Sequence, residues 1–394
     1  ISVLCSLVEE TGAESMFWHQ SADPESRELE CRLYKTLTSM GVVIKSFDSS
    51  GLFGLDEILK DDGHPYKIFT PFWRKLQTMS NPAPPLPVID RIASPNVWPE
   101  SLSLDEVDHF IGLDSRQTFS LLWTPGEKGA HDTLKKFLRN EVDSYDLNRD
   151  RPDLSGTSQL SPHISFGEIS PRMIWEAVFR EDSSGACSSK FLRELGWREF
   201  ARHLLHHFPE TPNEPLRKEF NRFPWRDDHK SLEAWQLGRT GYPLVDAGMR
   251  QLLSSGWIHN RVRMVTASFL VKHLMLPWQE GARWFWEKLV DADLASNTMG
   301  WQWVSGSGAD AAPYFRIFNP VIQGEKFDPQ GTYVRQWIPE ISALPDRWIH
   351  KPWLAPLEVL HQSGVRFGSD YPRPIVDHAS SRIRALAAFR SIRT

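Results

Sequence analysis

The first fifty positions of the chain show two different spacings of hydrophobic residues. In residues 1–12 and 24–40 an apolar side chain returns at every third or fourth position, which is the period of an amphipathic helix. Residues 14–19 and 41–47 are short runs with aromatic or β-branched side chains, and such runs favour strands. The order helix, strand, helix, strand predicts a parallel sheet covered by helices, because parallel strands need a long crossover connection.

A proline-rich tract separates this region from the rest of the chain. Residues 81–96 contain five prolines in sixteen positions, so they continue neither a helix nor a central strand. We therefore predict an α/β domain over residues 1–80, an interdomain linker over 81–125 and an all-α domain over 126–394. Helical periodicity in the last of these predicts helices at 129–143, 171–179, 189–208, 231–238, 243–255, 260–273, 277–289 and 293–302.

The composition limits the class of protein. The chain has a formal charge of −5 and three cysteines at wide, unequal spacing. An odd, dispersed set argues against a disulfide framework or a cysteine zinc site, and it favours a reducing compartment such as the cytoplasm. No run approaches the ~20 apolar residues of a membrane helix, and the start of the chain lacks the pattern of a signal peptide. We expect a cytoplasmic protein that does not enter a membrane.

One part of the second domain departs from the overall negative charge. Residues 190–273 contain 14 Lys and Arg against 9 Asp and Glu, together with six histidines. A basic surface of this kind can hold the phosphates of a nucleic acid, provided that the charges gather on one face.

Tryptophan is present in marked excess. Thirteen of the 17 tryptophans follow residue 170. An aromatic side chain at helical spacing usually fills a core. This interpretation serves most of them, namely Trp175, Trp235, Trp257, Trp284, Trp286, Trp337, Trp348 and Trp353. Thirteen are many for one helical core, so some of them are candidates for another role.

A hydroxyl-rich turn over residues 156–171 is the first candidate for chemistry. Thr157, Ser158 and Ser161 follow Gly156, and hydroxyls close to free backbone N–H groups in a turn suit a phosphate or pyrophosphate. A serine-rich turn that caps the next helix would have the same composition, and both interpretations remain open.

The helix predicted at 189–208 is the second candidate. Glu194, Trp197 and Arg198 lie three and four residues apart, so a carboxylate, an indole and a guanidinium share one face or border it. A solvated, ion-paired face would explain the charges but would leave the tryptophan unexplained.

Two arginines begin the helix predicted at 260–273. Arg261 and Arg263 lie about 200° apart on a helix, so we expect one to point outward and the other inward. An inward arginine needs an anionic partner, because an unpaired buried charge is very costly, and Asp291 and Asp293 are the candidates. Asn260 is a plausible N-cap of this helix.

The segment that follows Asp291 places two tryptophans on different faces. Asn297 and Trp301 are four residues apart and therefore stack on one helix face, whereas Trp303 points about 200° away from Trp301. One indole can then face an inner ligand while the other lines a separate cavity.

The motifs around these residues resemble the photolyase/cryptochrome family, and most of all the bacterial (class I type) DNA photolyases that act on cyclobutane pyrimidine dimers. The resemblance runs from YKIFTPF (66–72) to near Tyr371, and it is densest in TGYPLVDAGMRQL (240–252), WIHNRVRM (257–264) and WQWVSGSGADAAPYFRIFNP (301–320). It implies an N-terminal α/β domain with a partial Rossmann-like parallel sheet, followed by a large all-α domain that binds FAD and DNA.

The resemblance also implies a role for individual positions. Those that resemble the FAD contacts are Tyr145, Thr157, Ser158, Gln159, Leu160, Ser161, Arg198, Arg263, Asp291, Asp293 and Asn297. Those that resemble the lesion pocket are Glu194, Trp197, Asn260, Met264 and Trp303, and those that resemble its phosphate grips are Arg149, Arg261 and Arg316. Those that resemble a tryptophan chain for electron transfer to the flavin are Trp225, Trp278 and Trp301, which with Asn297 and Glu194 form the expected catalytic set.

The implied reaction is light-driven repair of pyrimidine dimers in DNA. The family flips the dimer out of the duplex, which costs less for a damaged pair than for an intact one. Reduced FAD then donates an electron to the lesion, the cyclobutane ring splits and the electron returns, without a catalytic metal. The expected partner is damaged DNA, the expected state is a monomer, and a second, antenna chromophore of unassigned identity is compatible with the family.

Three alternatives were weighed against this reaction. In the family pattern, plant-type cryptochromes, which are blue-light photoreceptors, carry Asp at the position of Asn297 and Tyr at the positions of Trp197 and Trp303. An Asp near the flavin can supply a proton, whereas an Asn amide only hydrogen-bonds. Photolyases of the (6-4) lesion use a histidine pair where this chain has His259-Asn260. A flavin oxidoreductase would need G-x-G-x-x-G between a strand and a helix, and SGSG (305–308) lacks that spacing.

The N-terminal region departs from the family pattern. The opening strand and its aromatic motif are absent, and the chain begins at Ile1 in the middle of the expected fold. From the family pattern we expect about 80–90 preceding residues and an incomplete sheet; a complete five-stranded sheet would contradict this. Residues 19–28 also lack the Asn-Glu pair that resembles a folate-antenna site.

Overall fold

The computed structural model describes residues 1–48, 50–79, 81–87, 89–92, 98–103, 106–107, 122–181, 189–311, 313–314 and 316–392. Its N-terminal part contains α1 (Ser2–Thr11), β1 (Ser15–His19), α2 (Pro24–Ser39), β2 (Val43–Phe47) and α3 (Phe69–Thr78). The first four elements follow the predicted order and lie within two residues of the predicted bounds. The α/β class of this region is therefore confirmed.

The two strands form a parallel sheet. Ser15 lies opposite Val43, and the register continues to His19 opposite Phe47. Within the described residues the sheet has these two strands and not five, as expected. Side chains alternate along the strands. On one face α1 and α2 pack through Val8 and Leu37, whereas on the other face Phe17 and Phe47 are exposed.

The bounds of α2 follow from its end residues. The Asp23 carboxylate accepts hydrogen bonds from the backbone N–H groups of Glu25 and Ser26, and Pro24 occupies the first turn, where a missing N–H costs nothing. The preceding helix, α1, ends at Gly12, whose φ of 64° suits glycine.

The remainder is helical apart from one isolated β-bridge, Phe367 to Tyr371, in the described residues. Its α-helices are α4 (Glu127–Asn140), α5 (Tyr145–Asn148), α6 (Ser161–Ser165), α7 (Pro171–Glu181), α8 (Ser189–His207), α9 (His229–Gln236), α10 (Pro243–Ser255), α11 (Asn260–Ser268), α12 (Trp278–Lys288), α13 (Leu294–Ser305), α14 (Pro320–Phe327), α15 (Thr332–Trp337), α16 (Asp346–Ile349), α17 (Leu357–Gln362) and α18 (His378–Ser391). Short 3-10 turns lie at Lys218–Arg222, Pro339–Ile341 and Pro352–Leu354. All eight predicted helices are present, and the all-α class of this region is confirmed.

One predicted helix changes type along its length. The span predicted at 260–273 is α-helical only to Ser268 and continues as a π-helix over Phe269–Leu274. The carbonyl of Thr266 accepts a hydrogen bond from the indole Nε1 of Trp235 at 3.0 Å, which competes with the regular bond four residues on. Insertion of a side chain into the helical ladder is a known cause of such a shift.

Two hydrophobic cores hold the helical part together. One surrounds α10, α11 and the π-helix, and the other surrounds α4, α7 and α8. Phe69 and Phe72 of α3 are fully buried in the second core, so this helix packs on α8 although it belongs to the predicted N-terminal domain. The domain boundaries stay a prediction, and much of the predicted linker lies outside the described residues.

The tryptophans follow the core interpretation with an exception. Trp235 is fully buried, and Trp284, Trp337, Trp348 and Trp353 pack against the first core. Trp286 was expected to fill the core but is 49% exposed, because the packed face of α12 lies on its other side, at Trp278 and Phe285. In the described part of the chain, none of the helices is long and apolar enough to cross a membrane.

A buried carboxyl makes a testable contribution to stability. Asp246 accepts hydrogen bonds from Thr240, Gly241 and Tyr371, but its complete burial outweighs them and raises its pKa to about 6. The folded state therefore binds the proton more tightly than the unfolded state, so this group stabilises the fold below about pH 4 and the contribution disappears as pH rises through 6. We expect the difference in unfolding free energy between wild type and Asp246→Asn to fall by about 2–3 kcal/mol from pH 4 to pH 7. Urea denaturation at both pH values measures it; a difference that is independent of pH would contradict the assignment.

Candidate functional site

Arg263 points inward and forms an ion pair with a buried carboxylate. Arg263 on α11 donates from Nη2 to both carboxylate oxygens of Asp291, at 2.9 and 2.7 Å, and from Nε to the carbonyl of Ile258 at 2.8 Å. The Asp291 side chain is 3% exposed, and that of Arg263 is 26% exposed. A buried charge requires such a partner, so the ion pair between Arg263 and Asp291 that the resemblance implies is confirmed. Its contact with a cofactor stays a prediction.

Arg198 and Asp293 form a second arginine–aspartate contact, and Asp293 follows Asp291 by two residues. Arg198 on α8 lies with Nη2 3.7 Å from Oδ2 of Asp293, and its Nη1 donates to the carbonyl of Ser50 at 2.7 Å. Asp293 is also the N-cap of α13, because its Oδ1 accepts from the N–H of Ser296 at 2.7 Å. One carboxylate thus fixes the start of α13 and holds α8 against it.

The hydroxyl-rich turn lies beside the two arginine–aspartate contacts. It contains Gln159 with φ 52°, and it leads into α6, whose end carries no side-chain cap. The hydroxyl of Ser170, at the end of the same segment, accepts from the backbone N–H of Met173 at 3.1 Å and so caps α7. The capping interpretation is therefore confirmed for Ser170, whereas α6 has no side-chain cap. The hydroxyl of Ser165 donates to the carbonyl of Ala292 at 2.7 Å, which places the turn beside the segment of Asp291 and Asp293. An added Cβ at Gly156 would lie 2.5 Å from the Cβ of Asn148, so the turn packs tightly on α5.

Two further predicted cofactor contacts border the same region. Tyr145 is buried against Phe137 and Phe191, and this burial, together with the nearby Glu194 carboxylate, raises the pKa of its hydroxyl. Leu160 is buried in the same hydrophobic core. The hydroxyl of Tyr145 therefore stays neutral at physiological pH.

The amide of Asn297 has a fixed direction. Its Nδ2 donates to the carbonyl of Ala282 on α12 at 2.9 Å. The oxygen Oδ1 is therefore the acceptor end of this half-buried side chain. An aspartate at this position could not make the same bond when ionised.

A network of four charges lies at the N-terminal end of α11. Glu194 accepts from Arg149 Nη1 at 2.5 Å, Asp150 lies 4.0 Å from Arg149 Nε, and Asp150 accepts from Arg261 Nη2 at 2.6 Å. The expectation that one of Arg261 and Arg263 points outward is wrong, since the Arg261 side chain is only 18% exposed. Asp150 and the ring of Phe327, 4.4 Å from its guanidinium carbon, cover it.

Asp150 is the residue of this network that the sequence interpretation missed. It follows Arg149 directly, and a carboxylate between two basic residues in the run Asn148–Arg151 is the available signal. The network has two positive and two negative groups and is neutral as a whole. A phosphate would therefore compete with Glu194 and Asp150 for the donors of these two arginines, of which one Nη group each is used here.

Trp197 lies on an aromatic support. Its indole stacks on the ring of Phe69 with centroids 3.6 Å apart and planes 11° apart. The guanidinium carbon of Arg193 lies 5.3 Å from the centroid of the Phe69 ring. Close approach of α3 is possible because residue 196 is glycine, where an added Cβ would lie 2.4 Å from the Trp73 ring. Phe69 and Arg193 are further residues that the sequence interpretation did not assign.

The N-cap of α11 is His259 and not Asn260. His259 Nδ1 accepts from the N–H of Arg261 at 3.2 Å, and Asn260 is an exposed first-turn residue. Burial, together with the cations Arg261 and Arg263, lowers the pKa of His259 to about 4, although Asp150 opposes this. The ring is therefore neutral and carries its hydrogen on Nε2, which is buried and has no partner among the described residues.

The remaining lesion-pocket residues are on separate elements. Met264 and Trp303 are half-buried on α11 and α13, and Trp303 packs against the edge of the first core. Arg316 is exposed, and its carbonyl accepts from Lys272 Nζ at 2.8 Å. Within the described part of the chain, its guanidinium has no carboxylate partner within ion-pair distance.

The three tryptophans of the expected electron-transfer chain differ in exposure. Trp301 is 2% exposed and Trp278 is 1% exposed, whereas Trp225 is half-buried and packs on Phe223 with ring centroids 4.3 Å apart. The Trp301 indole fits against Gly281 of α12, where an added Cβ would lie 2.0 Å from it. Trp225 is thus the member of the three that reaches the surface, and the electron-transfer role of the set stays a prediction.

The basic excess of residues 190–273 is largely neutralised inside the protein. Arg198, Arg202 and Arg263 each pair with a carboxylate. Among the described residues of this range, the exposed Arg193 has no carboxylate within ion-pair distance. A nucleic acid would therefore meet fewer free charges than the sequence count suggests.

The donor set fits a flavin dinucleotide. Isoalloxazine carbonyl and N–H groups need paired donors and acceptors, which Arg263, Asp291 and Asn297 provide, and a pyrophosphate needs hydroxyl and N–H donors, which the turn at 157–161 provides. The unpartnered buried N–H of His259 beside Arg263 also indicates that an acceptor belongs nearby.

These features define a flavin-binding helical domain behind a small α/β region, and comparison with known proteins gives the family. Residues 191–391 match the FAD binding domain of DNA photolyase, and residues 1–90 match DNA photolyase. The chain belongs to the photolyase/cryptochrome family and carries its FAD-binding domain.

Individual relatives agree with this assignment. The chain is 46% identical over 395 residues to a deoxyribodipyrimidine photo-lyase of Agrobacterium fabrum, covering 99% of this chain and 82% of the relative. It is 38% identical to Cryptochrome-1 of Arabidopsis thaliana, covering 97% of this chain and 58% of that protein.

Solved structures agree in fold. A bacterial class III photolyase from Agrobacterium tumefaciens superposes with a TM-score of 0.95 at 45% identity, over 100% of this chain and 82% of that one. Its class differs from the class I type that the motifs suggested. An archaeal photolyase from Sulfolobus tokodaii with two FAD molecules, described as implying a novel light-harvesting cofactor, superposes with a TM-score of 0.79 at 30% identity, over 95% and 78% of the two chains.

Proposed function

We propose that this protein is a photolyase that repairs cyclobutane pyrimidine dimers in DNA under blue light. The observation that carries the proposal is the position of Trp197, supported by Phe69 on one face, on the same helix as Arg198 of the flavin set and Glu194 of the charge network. A flat apolar surface, a polar group and a flavin site are thereby held on one rigid element.

The chain's own residues bind and orient the lesion in this proposal. A flipped dimer presents two saturated, apolar ring faces and a row of carbonyl and N–H groups. Trp197, Trp303 and Met264 supply apolar walls, and Glu194 and Asn260 supply hydrogen-bonding groups. Arg149 holds Glu194 at 2.5 Å and so fixes the direction of its carboxylate before the lesion arrives. FAD, when bound in its reduced form, supplies the single electron that splits the cyclobutane ring after it absorbs light.

Three positions support repair over a cryptochrome-type photoreceptor. Asn297, Trp197 and Trp303 resemble the residues of the photolyases and not those of the plant-type cryptochromes. The bond from Asn297 to the Ala282 carbonyl also needs an amide. Asn260, where a (6-4) photolyase would be expected to have histidine, supports the cyclobutane lesion.

The substrate is tested with two oligonucleotides that differ only in their lesion. Purified holo-protein with chemically reduced FAD should restore thymine absorbance of a cyclobutane dimer under blue light and leave a (6-4) product unchanged. Trp197→Tyr should weaken binding of the dimer oligonucleotide, while the buried core variant Trp235→Phe, in a different helix, serves as a matched control. Repair of the (6-4) product, or of neither lesion, would refute the proposed substrate.

The arginines of the phosphate grips give a separate prediction. Replacing Arg316 or Arg261 with alanine should weaken binding to damaged and undamaged DNA alike and reduce the slope of log K against log salt by about 0.7–0.9 each. Asp150→Asn should strengthen binding, since it releases Arg261 from its 2.6 Å contact. Arg366→Ala, which removes an exposed cation that is not among the proposed DNA contacts, is the control and should keep the wild-type slope. A wild-type slope in the Arg261 and Arg316 variants would remove them from the phosphate contacts.

A further inference from the structure

Three side chains with metal-binding atoms converge at the C-terminal end of α8, outside the flavin and lesion residues. His206 and His207 form the last turn of that helix, and Asp56 lies on the loop that follows β2. Asp56 Oδ1 is 2.9 Å from His206 Nε2 and 4.0 Å from His207 Nε2, and the three atoms lie within 4.8 Å of one another.

His207 is oriented as a metal ligand should be. Its Nε2 is buried and has no hydrogen-bond partner among the described residues. In the tautomer with the ring hydrogen on Nδ1, Nε2 presents its lone pair to a metal ion.

His203 holds the His207 ring in place. It is 3% exposed, and its ring meets that of His207 edge to face with centroids 4.5 Å apart. Its own Nε2 accepts from the N–H of Tyr66 at 3.0 Å and is therefore not available as a ligand. The Nε2 lone pair of His207 thus points at a fixed place, beside the 74% exposed carboxylate of Asp56.

We propose that Asp56, His206 and His207 form a binding site for a divalent metal ion of the zinc type. Two imidazole nitrogens and one carboxylate oxygen are a common protein ligand set for Zn²⁺, with water completing the tetrahedron. Mg²⁺ and Ca²⁺ are disfavoured, since they prefer oxygen ligands alone. The site is separate from the proposed repair chemistry.

Arg27 opposes metal binding. Its Nη1 lies 2.9 Å from His206 Nδ1, and because a guanidinium only donates, that nitrogen accepts and Nε2–H donates to Asp56. For Nε2 to bind a metal, its hydrogen must move to Nδ1 and Arg27 must withdraw. The metal-free cluster is thus an Arg27–His206–Asp56 chain of hydrogen bonds, and the metal competes with Arg27 for it.

The site would tie the loop after β2 to the helix that carries Glu194, Trp197 and Arg198. A ligand that binds only the folded state stabilises it in proportion to the logarithm of its concentration over Kd. We therefore expect Zn²⁺ to raise the melting temperature of the full-length holo-protein.

Calorimetric titration of the FAD-loaded protein with ZnCl₂ tests the site. One high-affinity ion per chain is expected. His207→Gln and Asp56→Asn should each weaken binding by at least about tenfold, and Asp56→Asn alters an exposed side chain that the fold does not need. Arg27→Ala should tighten it. His229→Gln is the matched control, because His229 also lies beside an aspartate, 3.5 Å from Asp227, but both are 90% exposed and no third ligand is near them in the described residues.

The Zn²⁺ binding of the wild type and the variants, compared with one another, tests the site. Loss of the high-affinity ion in His207→Gln and Asp56→Asn, with full binding in His229→Gln, supports the site. Absence of a high-affinity ion in the wild type, or equal binding by wild type and Asp56→Asn, overturns it.

Discussion

Replacing Trp301 with phenylalanine should abolish light-driven reduction of oxidised FAD in the holo-protein but leave repair by chemically reduced protein close to wild type. The expected electron-transfer chain begins at this buried indole, continues through the buried Trp278 and ends at the half-buried Trp225, so removal of its first member interrupts it. A phenylalanine keeps an aromatic ring against Gly281 and leaves a small cavity, at a cost of about 1–3 kcal/mol of unfolding free energy.

The control for this experiment is a second buried tryptophan in the same core. Trp235 is fully buried, and its ring centroid lies 6.1 Å from that of Trp301. Trp235→Phe should cause a similar loss of stability, since its Nε1 bond to the Thr266 carbonyl is also lost, yet it should keep photoreduction. Flash-induced absorbance of the flavin measures the first property and dimer repair in the presence of dithionite measures the second. Equal loss of photoreduction in both variants, or loss of repair along with photoreduction in Trp301→Phe, would contradict the role of Trp301.

Asp291→Asn should have the second largest effect, on flavin binding and on stability together. The substitution leaves the Arg263 guanidinium without a charged partner beside a side chain that is 3% exposed. Removal of one member of a buried ion pair costs about 3–5 kcal/mol, and the partial exposure of Arg263 places the expectation at the lower end, about 3 kcal/mol. FAD content after purification, measured as flavin absorbance per protein, should fall sharply.

An exposed Arg–Asp pair gives the matched control for Asp291. Asp370 pairs with Arg366 at 3.2 Å, and the Arg366 side chain is 78% exposed. Asp370→Asn should leave both the urea midpoint and the FAD content almost unchanged, because solvent screens such a pair. Full FAD content in Asp291→Asn would show that the Arg263–Asp291 pair is structural and does not form part of the flavin site.

The sequence predicted the elements of this fold well because their hydrophobic period is set by local burial. The N-terminal helices and strands and all eight long helices of the second region lie where the spacing placed them. The π-helix at Phe269–Leu274 could not be predicted, because its cause is the indole of Trp235 bonding to Thr266, a contact between residues 31 positions apart. The exposure of Trp286 was missed for a related reason, since the spacing does not say which face of α12 is covered.

The candidate site was predicted in part. Helix geometry indicated that one of the two arginines at the start of α11 points inward and needs a carboxylate, and the family resemblance assigned this pair to Arg263 and Asp291. The partner of Arg261 was missed, because Asp150 lies 111 residues away on a short helical turn whose position the sequence does not fix. The support of Trp197 by Phe69 likewise depends on the packing of α3 against α8 at Gly196. Motif resemblance supplied residue types and left these tertiary contacts open.

The central claim is that light drives repair of a cyclobutane dimer bound beside the flavin. The most direct measurement is the recovery of thymine absorbance when anaerobic holo-protein with reduced FAD is mixed with a single-dimer oligonucleotide and exposed to counted blue-light flashes. The account predicts recovery that rises with each flash, stops in the dark, and is lost in Asp291→Asn in proportion to its missing FAD. Recovery in the dark, or none under light with FAD fully bound and reduced, would contradict it.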